Sequence, residues 1–190
     1  MNFLGHAYLA HHGNDDFLFG NLIADGIKGA ALGELSHAVA EGVRHHRQVD
    51  TFIDHHPLVM QLRRSAPSEH RRVVAIAFDL IWDHFLAQRS PEALIERSYQ
   101  VLLHGRDEWP ARLSGTLDGM INGDWLRGYK DFGFTCQAIA GVGRRLSGPN
   151  RLAASVPWLE QEYDTFERTF KQLWPEMEAR FLSSRPGPYA

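Results

Sequence analysis

Apolar residues recur at intervals of three and four along most of the chain, and runs of alternating β-branched residues are scarce. This spacing is typical of amphipathic helices and predicts an all-α fold, a compact helical bundle. The pattern is longest from about residue 34 to Pro57, which should end that helix. Its repeating positions are Leu35, Ala38, Val39, Gly42, Val43, His46, Val49 and Ile53.

The same reasoning divides the rest of the chain into shorter helices, whose limits are set by glycine, proline and capping residues. The predicted segments are a helix from Phe3 to near Gly13, a glycine-interrupted segment from Phe17 to Ile27, a helix capped by Ser68 and running to Leu86, a helix opened by Ser90 and Pro91, short helices and loops from Gly105 to Gly133, and a last helix from Leu159 to Leu182 kinked or divided at Pro175.

Length and charge narrow the class of protein. A chain of 190 residues fits one domain, predicted over 1–190, with a core large enough to stand alone. The formal charge of -3 argues against a general nucleic-acid binder. No uncharged apolar run approaches the roughly 20 residues that cross a bilayer, and the N-terminus does not resemble a secretion signal. We therefore expect a cytoplasmic protein without a membrane or nucleic-acid partner.

Cys136 is the only cysteine, which excludes an internal disulfide and a thiolate metal cluster. Any metal must then be held by nitrogen and oxygen. Ten of the eleven histidines lie in the first 84 residues, several of them near aspartates. This composition indicates a metal site.

The spacing of these acids and imidazoles identifies candidate ligands. His46 and Asp50 are four residues apart and share a helix face, and Asp83 and His84 follow within an apolar run. A buried carboxylate needs a partner or a metal, so Asp83 and Asp79 must each find one. Asp79 could instead pair with an arginine, and Asp83 could accept a hydrogen bond from Trp82 or from a neighbouring helix. Either contact would satisfy the carboxylate without a metal.

Two further residues each admit two interpretations. His6 lies among apolar residues of the first helix, where it is either a metal ligand or a core histidine with its hydrogen bonds satisfied. Asp25 lies in GNLIADGIKG, where glycines allow close backbone approach to a ligand. An Asx turn or helix cap would equally explain this aspartate.

Five segments together resemble one known family. They are NFLGHAYLAHH, GNLIADGIKG, GVRHHRQVDTFIDHHP, AFDLIWDHFLA and FKQLWPEM, in this order along the chain. In these motifs the sequence is similar to the acyl carrier protein phosphodiesterases. The similarity is weakest from about residue 102 to 156.

The resemblance implies a helical fold related to the HD phosphohydrolases, with a divalent metal, usually Mn²⁺. The implied reaction releases 4′-phosphopantetheine from the serine of holo acyl carrier protein and leaves the apo form. The motif positions assigned as catalytic are Asp25, His46, Arg47, Asp50, Asp83 and His84, and those assigned to the metal are Asp25, His46, Asp50, Asp79, Asp83 and His84. His6 is added to the metal candidates because of its place in the first helix.

The chemistry suits these residue types. Imidazole and carboxylate bind Mn²⁺, Fe²⁺ or Zn²⁺, and Mg²⁺ where carboxylates dominate. A bound cation lowers the pKa of its water and neutralises charge on phosphoryl oxygens. His84 or His46, if not a ligand, could protonate the leaving serine oxygen, and Arg47 could hold a non-bridging oxygen.

The carrier protein is acidic, so a basic surface should meet it. Arg63, Arg64, Arg71 and Arg72 are the candidates, and a solvated charged loop is the alternative. Two other classes of protein remain open at this stage. One is an HD-type phosphohydrolase acting on nucleotides or another small phosphodiester, and the other is a non-enzymatic helical metal-binding protein.

Overall fold

The computed structural model describes residues 1–29, 32–148 and 150–182, and the predicted domain over 1–190 extends beyond these. Eleven α-helices and no strand occur in this described part, which confirms the all-α prediction. The helices are α1 (Phe3–Ala10), α2 (Asp15–Ile23), α3 (His37–Asp54), α4 (Pro57–Ser65), α5 (Val74–Ala87), α6 (Glu92–His104), α7 (Ala111–Asn122), α8 (Trp125–Gly128), α9 (Phe132–Arg145), α10 (Val156–Gln161) and α11 (Tyr163–Phe181).

Helix α5 forms the centre of the bundle. Most of its residues are buried, and it packs against α1, α9 and α11. Trp82 contacts Phe78 on its own helix and Phe166 and Phe170 on α11. Burial of such aromatic groups removes large apolar areas from water and dominates the packing energy. None of the described helices has the length and apolar character needed to span a membrane.

Helices α2 and α3 pack closely, because each presents a glycine to the other. A Cβ on Gly20 would lie 2.0 Å from the carbonyl oxygen of Val39, and a Cβ on Gly42 would lie 2.1 Å from that of Phe17. The two backbones can approach this closely only without side chains at the crossing. This crossing brings the end of α2 against the third turn of α3, where His46 lies.

Several predicted helix limits are wrong. Ser68 does not cap α5, because residues 68–73 form turns and the helix begins at Val74. The hydroxyl of Ser68 instead donates to its neighbour Glu69. Ser90 does not cap α6 either, since Pro91 holds the capping position and no side chain bonds there.

The C-terminal half also differs from the prediction. Pro175 lies inside the continuous helix α11, and the break between α10 and α11 falls at Glu162 instead. The region predicted as short helices and loops contains α7, a full helix of 12 residues. Its apolar side, Leu113, Leu117 and Met120, is buried, so tertiary packing overrides the low helix propensity of its glycines.

Candidate metal and active site

His6 on α1 meets His46 and Asp50 on α3, and we call these three residues the histidine–aspartate cluster. The two imidazole rings stack with centroids 3.6 Å apart and planes 10° from parallel. Nε2 of His6 lies 3.0 Å from Oδ1 of Asp50, and Nε2 of His46 lies 3.1 Å from Oδ2 of the same carboxylate. The predicted convergence of His6, His46 and Asp50 is therefore present in the fold.

A hydrogen bond to the backbone of α2 fixes the orientation of the His46 ring. Its Nδ1 lies 2.9 Å from the backbone oxygen of Asn21, so this nitrogen carries the proton and donates it. The other ring nitrogen, Nε2, is then directed into the cluster. Metal-binding histidines commonly have such a backbone partner on their other nitrogen, which sets the tautomer.

Asp25 closes the outer edge of the cluster. It lies in the 3-10 turn Ala24–Gly26 that follows α2, with Oδ1 at 3.4 Å from Nε2 of His46 and 65% of its side chain exposed. The guanidinium of Arg47 donates to the backbone oxygen of Ile27 at 3.0 Å, and this bond ties the segment after the turn to α3. Asp25 is thus the most solvent-accessible acid beside His46.

Asp79 is connected to the histidine–aspartate cluster through the α-amine of Met1. Its Oδ1 is 3.0 Å from the α-amine of Met1, which also contacts Oδ1 of Asp50 at 2.9 Å. Burial alone would lower the pKa of this amine, but the two aspartates outweigh burial and raise it to about 11. Burial raises the pKa of Asp79 to about 6. The ammonium group thus links Asp79 to the cluster.

The pKa values of the two stacked imidazoles are shifted in opposite directions. Burial, followed by the charge of His46, lowers the pKa of His6 to about 3. Burial also opposes protonation of His46, but the nearby Asp25 and Asp50 carboxylates outweigh it and raise its pKa to about 9. For Asp50, burial is outweighed by His46 and His6, which lower its pKa. At neutral pH one positive imidazole therefore lies between two carboxylates.

Asp83 is fully buried and binds the beginning of α1. Its two carboxylate oxygens accept hydrogen bonds from the backbone N–H groups of Leu4 and Gly5, at 2.9 and 2.8 Å. These groups lack a cap from within their own helix, because Asn2 makes no capping bond. Asp83 therefore fixes the helix that carries His6. Its assignment as a metal ligand stays a prediction.

His84 lies apart from the cluster, against the aromatic rings of Phe132 and Tyr163. Its Nδ1 is 2.8 Å from the backbone oxygen of Tyr129, and its Nε2 is 2.9 Å from both the Tyr163 hydroxyl and the Gln88 amide. Burial lowers the pKa of His84, which favours the neutral ring. The fold does not bring this predicted ligand and acid to His46.

The donor set of the cluster fits a divalent cation. The ligand atoms of His6, His46 and Asp50 all lie within 4.8 Å of one another, and no other group of three or more such residues does so in the described ranges. Nδ1 of His6 is buried without a hydrogen-bond partner, and Nε2 of His46 is buried with the Asp50 carboxylate 3.1 Å away but outside hydrogen-bonding geometry. Two imidazoles and a carboxylate suit Mn²⁺, Fe²⁺ or Zn²⁺.

The four predicted partner-binding arginines lie on and after the last turn of α4. Arg71 donates to the carbonyl oxygen of Ala66 at 2.9 Å, and Arg63 donates to that of Arg71 at 3.2 Å. These two side chains therefore hold the turn that follows α4. Arg64 and Arg72 are exposed, and no carboxylate in the described residues forms an ion pair with them.

Sequence reasoning missed two residues that support the site. Asn21 presents its carbonyl to His46, and its side-chain amide contacts Nδ1 of His45 at 2.8 Å. The hydroxyl of Tyr129 accepts a hydrogen bond at 3.0 Å from the side chain of Asn2, the residue that follows Met1. The contact made by Asn21 uses a backbone oxygen, which no residue pattern reveals.

The fold and the cluster together define an all-helical protein with a buried imidazole–carboxylate site at one edge of the bundle. The family model described as acyl carrier protein phosphodiesterase matches residues 1–177. A relative of that name from Photorhabdus laumondii is 36% identical over 185 residues, which cover 93% of each chain. Others from Yersinia pestis and Salmonella agona are 33% and 32% identical, covering 93% and 95% of this chain and 95% and 97% of their own.

No solved structure matches this chain, so the relation to the HD phosphohydrolase fold stays a prediction. The family match covers most of the chain and includes every residue of the histidine–aspartate cluster. The chain belongs to the acyl carrier protein phosphodiesterase family.

Proposed function

We propose that this protein hydrolyses the phosphodiester of holo acyl carrier protein at the histidine–aspartate cluster, releasing 4′-phosphopantetheine and leaving the carrier's serine free. The observation that carries the proposal is the meeting of His6, His46 and Asp50 below the exposed carboxylate of Asp25. The names of the relatives support the substrate and the reaction class. We expect the reaction to take place in the cytoplasm.

His6, His46 and Asp50 would hold a divalent metal, most simply Mn²⁺, with Asp25 and Asp79 as further carboxylates beside it. When bound, such a cation activates water and neutralises charge on phosphoryl oxygens. The nitrogen and oxygen donors leave Fe²⁺, Zn²⁺ and Mg²⁺ as alternatives.

The chain's own groups account for proton transfer and positioning. The exposed carboxylate of Asp25 lies beside His46 and can accept a proton from an attacking water. The new bond joins the water oxygen to phosphorus, the bond to the serine oxygen breaks, and a proton ends on that oxygen. Arg47 acts by holding the segment beside Asp25.

The direct test is the intact mass of holo acyl carrier protein after incubation with the protein and Mn²⁺, with and without chelator. We expect loss of the phosphopantetheinyl group, abolished by chelation and by Asp25→Asn. Asp107→Asn is the matched control, because Asp107 is also the exposed middle residue of a 3-10 turn, Arg106–Glu108. An unchanged mass with metal-loaded protein, together with cleavage of nucleotide diesters, would favour a small-diester phosphohydrolase.

The two exposed arginines at the end of α4 and in the turn after it, Arg64 and Arg72, provide a test of partner binding. We expect Arg64→Glu combined with Arg72→Glu to raise KM for the acidic carrier protein more than it lowers kcat, because the surface charge guides association. Lys130→Glu combined with Lys171→Glu makes the same change in net charge elsewhere. Equal KM values for the two double variants would remove this surface from the interaction.

A further inference from the structure

A surface cavity of about 320 Å³ lies between the start of α1 and helices α7–α9. Its size is within the usual range of small-ligand pockets, about 300–1,000 Å³. The aromatic rings of Phe3, Trp125 and Phe134 contribute apolar surface, and the side chains of Asn2 and Gln137 contribute amide groups. Such a lining can bind a ligand in which apolar and amide segments alternate.

The charge of this cavity distinguishes it from a neighbour of similar size. The cavity between α2 and α6 has a volume of about 370 Å³, and its charged lining consists of three acids, Asp15, Asp16 and Glu108, and one arginine, Arg97, which pairs with Asp15. The α1–α9 cavity has no carboxylate in its lining and carries Arg144 and Arg145 at the end of α9. No ion pair occupies these two arginines in the described residues. An anionic substrate is therefore favoured at this cavity and disfavoured at the other.

Two residues of the cavity lining are chain neighbours of the candidate active site. Asn2 directly follows Met1, and Leu80 directly follows Asp79, and both line the cavity. Met1 and Asp79 contact each other at 3.0 Å beside Asp50. A substrate whose phosphodiester lies at the cluster could thus extend along the start of α1 into the cavity.

We propose that this cavity receives the pantetheine arm of the substrate, an inference that rests on the proposed function. The arm is a neutral chain in which a dimethyl-substituted carbon and short methylene links alternate with two amides. The amides of Asn2 and Gln137 are suited to its amide groups, and the aromatic rings are suited to its apolar links. Arg144 and Arg145 add a positive field for the attached phosphate.

Two glycines give a matched test. A Cβ on Gly141, in the cavity wall, would have no contact closer than Arg144 Nη2 at 3.7 Å, so Gly141→Leu can fill the cavity without a backbone clash. A Cβ on Gly115, on α7, meets nothing within 4 Å and lies outside the cavity lining. Both changes replace a helical glycine by leucine, so they differ mainly in where the side chain is placed.

The measurements are the Kd of free pantetheine by calorimetry and the KM of holo acyl carrier protein. We expect Gly141→Leu to raise both by about tenfold or more and Gly115→Leu to change neither by more than about twofold. Thermal unfolding checks that both variants fold. Equal pantetheine affinity in wild type and Gly141→Leu, or no binding of pantetheine by the wild type at millimolar concentration, overturns the assignment.

These readouts separate the two proposals. Pantetheine binding that is lost in Gly141→Leu, with no apo carrier formed by the wild type, would reject the proposed function and support the arm site. Formation of apo carrier by all three proteins with equal KM and Kd values would support the function and reject the arm site.

Discussion

Removal of the Asp83 carboxylate should weaken the attachment of α1 to α5. The group is fully buried and accepts hydrogen bonds from the N–H groups of Leu4 and Gly5 at 2.9 and 2.8 Å. In Asp83→Ala both donors lose their acceptor in a site closed to water. An unsatisfied buried polar group costs about 1–3 kcal/mol, so the free energy of unfolding should fall by about 2–6 kcal/mol.

Asp131→Ala is the matched control. Asp131 caps α9 by accepting a hydrogen bond from Phe134 N–H at 2.6 Å, but it does so at an exposed position. Loss of such a cap costs about 1 kcal/mol, because water replaces the lost acceptor. Urea denaturation of both variants gives the two free energies from midpoint and slope.

A loss for Asp83→Ala no greater than that for Asp131→Ala would refute the reasoning that Asp83 holds α1 through buried bonds. Mn²⁺ affinity, measured on folded Asp83→Asn, adds a second comparison. If Asp83 only positions α1, Asp83→Asn should retain much of the Mn²⁺ affinity, because the amide keeps one acceptor oxygen for the N–H groups of α1. Abolished affinity in a stably folded variant would indicate direct ligation.

The remaining predictions concern packing, pH and metal binding. Gly42→Ala should destabilise the protein by about 1–3 kcal/mol in urea denaturation, since its Cβ would lie 2.1 Å from the Phe17 carbonyl oxygen, whereas Gly115→Ala, in open space, should not. Burial, and next the charge of His12, lower the pKa of His45 to about 4. The folded state therefore binds fewer protons than the unfolded state between pH 6.5 and 4. The free energy of unfolding should fall by at most about 3 kcal/mol as the pH is lowered through this range. The urea midpoint of His45→Gln should depend less on pH across this range than that of wild type. An equal pH dependence in the two proteins would refute the assignment of this effect to His45. Mn²⁺ at 100 times its Kd should stabilise chelator-treated wild type by about 2.7 kcal/mol, and the same concentration should not shift the melting temperature of His46→Ala.

The long helix α3 illustrates what local pattern can predict. Its apolar positions repeat at three and four, and this repeat places His46 and Asp50 on one side of the helix because both properties depend on the helical period. The predicted start lay a few residues early, since Ser36 caps the helix through its hydroxyl. Segments α7 and α9 were harder to predict, because glycine-containing helices owe their stability to neighbours.

The adjacent residues Asp83 and His84 show that a sequence motif does not by itself define one site. Adjacent residues on a helix point about 100° apart, so a motif in sequence does not define one site. In the fold Asp83 turns toward the start of α1, while His84 turns toward Tyr129 and Tyr163. Both side chains have polar partners that come from distant parts of the chain, and only packing determines those partners.

The sequence by itself determined the all-α class, the amphipathic faces, the restriction to nitrogen and oxygen ligands, and the family. Each of these depends on residue type and short-range spacing. The tertiary structure alone decided that His6 stacks on His46, that Asp79 faces the Met1 amine, and that the two glycines of the α2–α3 crossing bring Asn21 to His46. These contacts join residues far apart in the chain, and they form only when the helices pack at one particular distance and angle.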